Sequence, residues 1–115
     1  MSAYRTDHIV YGWKLPYDIK NSNGESIDLW NDKFLPMIEG HKGEKLTLIR
    51  DDMAGEYTVF GIRFKDCNSD EGWDCEILEP CFNGVDALGL IIKFRELFDR
   101  EPEGNPALLI FSHWA

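Results

Sequence analysis

The chain has 115 residues, 43% of them hydrophobic and 13% aromatic, which suits one packed domain and is too apolar for a disordered segment. Its formal charge of −9 is lopsided: residues 1–50 hold seven basic and seven acidic side chains, residues 51–115 five against fourteen. Such a surface repels a phosphate backbone, which argues against direct nucleic-acid binding, and no run approaches the roughly 20 apolar residues of a membrane span.

In chain order, the opening MSAYRTDHIV has neither the basic flank nor the apolar segment of a secretory signal, so a cytoplasmic location is expected. Residues 8–15 alternate, with Ile9, Tyr11, Trp13 and Leu15 on one side, and predict a strand that Pro16 ends for want of a ladder donor. The turn-forming NSNG at 21–24 leads to Ser26, a cap for a helix in which Ile27, Trp30 and Phe34 share a face. Pro36 stops that helix near Phe34 or kinks it.

Beyond the GHKG loop at 40–43, residues 45–50 and 57–65 read as two strands of a hairpin joined through DDMAGE. Thr58, Phe60, Ile62 and Phe64 make its apolar face, leaving Tyr57, Val59, Gly61 and Arg63 on the other. A short edge strand is expected near residues 74–78. The clearest periodicity lies at 85–98: Ala87, Leu90, Ile91, Phe94, Leu97 and Phe98 occupy one arc of a helix, with Gly89, Lys93 and Glu96 opposite. Leu88 and Ile92 widen that arc, giving the helix a second apolar flank for a loop or another subunit. After EPEGNP breaks the helix, Ala107 to Trp114 is a nearly continuous apolar run, suited to a central strand buried on both faces.

Strand, helix, strand, strand, helix, strand is the order of the ferredoxin-like split β-α-β arrangement. The predicted fold is therefore α+β over residues 1–115: a four-stranded antiparallel sheet with two helices on one face. That arrangement hosts many unrelated functions, so activity must be argued from particular residues.

The unusual surface is acidic. From residue 66 to residue 92 there is no Lys or Arg, while Asp66, Asp70, Glu71, Asp74, Glu76, Glu79 and Asp86 carry seven negative charges. Asp66, Asn68 and Asp70 match the first positions of a calcium loop, but Glu71 stands where the turn needs Gly and Ile77 where a bidentate Glu belongs. Two readings remain: a solvated loop, or a docking surface in which Asp66, Asp70, Glu71, Asp74, Glu76 and Glu79 steer a basic partner and Trp73 anchors it.

Cys67, Cys75 and Cys81 fit no zinc spacing with the three scattered histidines, and an odd set of cysteines without an export signal is expected to be reduced. No catalytic constellation, phosphate loop, metal site or cofactor motif is legible. Tyr11, Trp13, Tyr57 and Arg63 invite comparison with RNA-binding sheets, but EYTVFGIRF lacks their basic-Gly-aromatic opening.

The leading expectation is a non-enzymatic cytoplasmic protein that binds a basic protein partner, in the manner of inhibitors, immunity proteins or phage regulators. The alternatives are a small-molecule binder or enzyme, with a site between helices and sheet edge using His113, Cys81 or Tyr11, and a homo-oligomer, such as a homodimer, associating through a sheet edge or the Leu88 and Ile92 flank.

Overall fold

The computed structural model describes residues 5–30, 32–35, 37, 45–68 and 84–114, with the backbone alone for 65–68, 85 and 114. Four strands and a helix follow one another as β1 (Arg5–Leu15), β2 (Leu46–Arg50), β3 (Thr58–Asn68), α1 (Gly84–Phe98) and β4 (Ala107–Trp114). The strands form one sheet in the order β2-β3-β1-β4, and every neighbouring pair is antiparallel. No helix among the described residues is long and apolar enough to cross a membrane.

The alternation in β1 resolves as predicted. Trp13 and Leu15 are buried against α1 with Phe60 and Leu48, while Tyr11 and Ile62 pack at the margin of the same core. Leu90, Phe94, Leu97 and Phe98 are the buried stripe of the helix. At roughly 1.5–3 kcal/mol for each large apolar side chain, these four contribute on the order of 10 kcal/mol before chain entropy is subtracted. The rings interlock: Phe94 lies 5.0 Å from Trp13 and 4.6 Å from Phe98, and Phe98 lies 5.2 Å from Phe60. Trp13 also stacks on Phe60 and donates its indole N–H to the Gly104 carbonyl at 3.0 Å, so this indole belongs to the core and the loop beyond α1.

Three expectations are corrected. Over 26–34 the described residues form a bridge and turns instead of a helix: Ser26 pairs with Lys20, and the Ile27 amide donates to Ile19. The NSNG turn, with Gly24 at φ 81°, returns the chain in extended form, and the Asp28 carboxylate then accepts from the Trp30 amide. Ile19, Leu29 and Phe34 are buried as a result, while Trp30 is 61% exposed.

Secondly, β4 is an edge strand and not a central one, with Leu108 and Ile110 exposed. An unbroken apolar run does not by itself tell which strands flank it. Thirdly, β3 does not end at residue 65, and its register against β1 shifts between Ile9 and Val10, which pair with Lys65 and Arg63. β3 runs on to Asn68, and the residues beyond, including the short strand expected near 74–78, lie outside the described set.

Candidate functional site

The face of the sheet turned away from α1 carries the polar side chains. Opposite-strand pairs place Thr6 with His113, His8 with Phe111, Val10 with Arg63, Lys14 with Val59, and Thr47 with Gly61. Their alternation leaves Val10, Val59 and Thr47 buried on this face as a floor. On that floor the His8 ring stacks on Phe111 at 5.2 Å and meets His113 at 6.2 Å.

This face is strongly curled. Tyr57 precedes Thr58, which pairs with Leu15, whereas Phe111 pairs with His8, seven residues back along β1. In a flat ladder that offset is about 23 Å at ~3.3 Å per residue. Yet the Tyr57 and Phe111 rings are 6.0 Å apart, and the Tyr57 hydroxyl lies 3.5 Å from His113 Nδ1. The bend is centred on Gly12 and Gly61, which face each other across β1 and β3. A Cβ on Gly12 would overlap the Phe60 carbonyl oxygen and sit 2.6 Å from Gly61 Cα, an approach only a glycine pair permits.

The curl brings the β2–β3 turn toward the end of β4. Asp51 holds that turn, its carboxylate accepting from the amides of Ala54 at 3.2 Å and Glu56 at 3.1 Å. Asp52 accepts from the Tyr17 hydroxyl at 2.8 Å, and the Arg50 guanidinium lies 4.4 Å from the Tyr17 ring centroid. Burial pushes His113 below its ordinary value of 6.5, against the opposing pull of Asp51 and Asp52. Burial likewise pushes the Tyr57 hydroxyl up, keeping it protonated.

A cavity of about 300 Å³ opens between β2 and the ends of β1 and β4. Arg50, Arg63, His8 and His113 line it together with Thr6 and Thr47; among the described side chains Asp52 is the one carboxylate that lines it, and Trp30 borders it. Arg63 Nη2 reaches Thr47 Oγ1 at 3.5 Å, and the buried Nε of Arg50 makes no hydrogen bond. Buried donors of this kind favour an acceptor ligand. Among the described residues no group of three or more His, Cys, Asp or Glu side chains is placed to hold a metal ion.

Asp66 is paired with His8 in the β1–β3 register, while Asp70, Glu71, Trp73, Asp74, Glu76 and Glu79 lie outside the described residues, as does Cys81. Of the three residues suggested for a small-molecule site, His113 lines the cavity and Tyr11 packs at the edge of the core beneath α1. Sequence reasoning did not single out His8, Arg50, Arg63 or Thr47 as a group. Alternation sets His8 and Arg63 away from the apolar face, but the bend that gathers these four residues depends on two glycines about fifty positions apart. Compared with protein-family models, curated proteins and solved structures, the chain shows no match, so the geometry of this face is what bears on function.

Proposed function

We propose that the protein binds a small anionic molecule, one bearing a carboxylate, sulfate or phosphate group, in the cavity between β2 and the ends of β1 and β4. The observation that carries this reading is the convergence of Arg50, Arg63, His8 and His113 on one cavity in a chain of net charge −9. Guanidinium groups offer forked donors to such a group, Thr6 and Thr47 offer hydroxyls, and the volume is at the small end of ligand pockets.

Calorimetric titration with sulfate and with benzoate tests it. Binding is expected, and Arg50→Gln or Arg63→Gln should weaken it about tenfold or more, as loss of a charge-assisted hydrogen bond of roughly 1.5–3 kcal/mol requires. The pH dependence has a definite sign. His113 is held below 6.5 and is neutral at pH 7, and an anion beside it favours the imidazolium, so affinity should rise as pH falls from 7 toward 5. Absence of binding to either anion across this range rejects the reading.

The strand order β2-β3-β1-β4 with all neighbours antiparallel supports a ferredoxin-like split β-α-β arrangement, with a second helix inside the crossover from β1 to β2. Backbone chemical shifts over residues 31–44 decide that point.

A second reading rests on charge. The seven carboxylates between residues 66 and 92, uninterrupted by any Lys or Arg, support docking of a basic protein partner through Asp66, Asp70, Glu71, Trp73, Asp74, Glu76 and Glu79. Reversing Asp70, Glu71 and Asp74 to Lys should then weaken capture of basic proteins at low salt and flatten its salt dependence. Capture indifferent to the reversal disposes of this reading without touching the anion site.

A further inference from the structure

We propose that the chain forms a two-fold dimer by pairing β4 with β4 of a second copy, joining two four-stranded sheets into one of eight strands. β4 is hydrogen-bonded to β1 on one side only, and no other strand among the described residues flanks it. Among the described residues its other side is an unpaired row of backbone donors and acceptors, of the kind that accepts another extended chain.

Edge strands are ordinarily protected by shortness, bulges, proline or charge, and β4 has none of these within its span. It is eight residues long, and its register with β1 runs unbroken from Arg5 opposite Trp114 to Gly12 opposite Ala107. The other edge, β2, is five residues long and ends in Arg50. On the helix side of β4, Ile110 is 72% exposed and Leu108 45% exposed. α1 is packed over β1 and β3, with Leu90 beside Leu46 and Ile62, and leaves these two side chains uncovered.

Charge selects the occupant. Two chains of −9 repel each other, so a contact between copies is favoured where neither carries charge. β4, ALLIFSHW, is the one strand of the four without Asp, Glu, Lys or Arg. A basic partner would find no carboxylate on this strand, whereas a second copy presents the same neutral, apolar edge.

The side-chain pattern also selects a register. With the two-fold axis at Leu109, Leu108 of each copy faces Ile110 of the other, giving an apolar strip of four side chains on one face. Moving the axis to Ile110 would set Leu108 against Ser112, whose hydroxyl already donates to the buried Asp7 at 2.6 Å.

Sedimentation equilibrium of the full chain tests the dimer, with hydrogen exchange as a second readout. The unmodified protein is expected at twice its chain mass, with β4 amides losing protection on dilution. Ile110→Lys should return it to the chain mass while far-ultraviolet circular dichroism stays unchanged, since this side chain points into solvent. Leu88→Lys, on the exposed outer flank of α1, should remain a dimer. A concentration-independent monomer, open-ended assembly, a dimer that survives Ile110→Lys, or dissociation by Leu88→Lys alone would each overturn the proposal.

Discussion

Replacing Phe94 by alanine is expected to cost about 3–5 kcal/mol of stability and to lower the melting temperature by on the order of 15 °C. The ring is fully buried at the point where α1 crosses the sheet, within 5.0 Å of Trp13, 6.0 Å of Phe60 and 4.6 Å of Phe98. Truncation removes three aromatic contacts and leaves a void that neighbours on two different elements cannot both move to fill. The Arg100 guanidinium, 5.9 Å from the same ring, loses its aromatic face as well. Against a typical total of roughly 5–15 kcal/mol, such a loss brings the chain near its folding threshold. Urea midpoints measured beside Leu88→Ala, a truncation on the exposed flank of the helix, separate this effect from helix propensity. A loss below about 1 kcal/mol at Phe94 would mean that the helix is not docked on the sheet through this ring.

Gly61→Ala is the second large effect, and it joins the fold to the site. The added Cβ would overlap the Tyr11 carbonyl oxygen and lie 2.7 Å from Gly12 Cα, both backbone atoms that cannot rotate aside. β1 and β3 must separate, at an expected cost of about 3 kcal/mol. The geometric consequence is more specific than the energetic one. With the bend relaxed, Tyr57 no longer reaches His113, and Arg50 and Arg63 no longer share a cavity with the two histidines. Burial is what holds His113 low, so uncovering it should move its titration up toward the ordinary value of 6.5. Proton NMR titration of the histidine rings reads this directly. An unmoved His113 titration in a folded Gly61→Ala protein would show that the glycine pair does not set the curl.

Local sequence decided the elements wherever pattern and chemistry agreed. The 3.6-residue period of 85–98, the alternation of β1 and the hairpin chemistry around DDMAGE all name elements that the structure keeps, because each signal is a property of near neighbours in the chain. Residues 26–34 show the limit of such signals. Ile27, Trp30 and Phe34 have helical spacing, but the bridge between Lys20 and Ser26 and the Asx turn at Asp28 compete with the helix and leave Trp30 outside.

The sequence by itself determined the α+β class, the buried helical stripe and the concentration of negative charge after β3, each of which follows from composition or short-range periodicity. Only the tertiary structure decided that ALLIFSHW lies at an edge, and that His8, Arg50, Arg63 and His113 meet. The physical reason is the same in both cases. Strand neighbours and sheet curvature are set by pairings between residues far apart in the chain, here closed at Gly12 and Gly61, and a missing side chain leaves no periodic trace of the backbone it allows to approach.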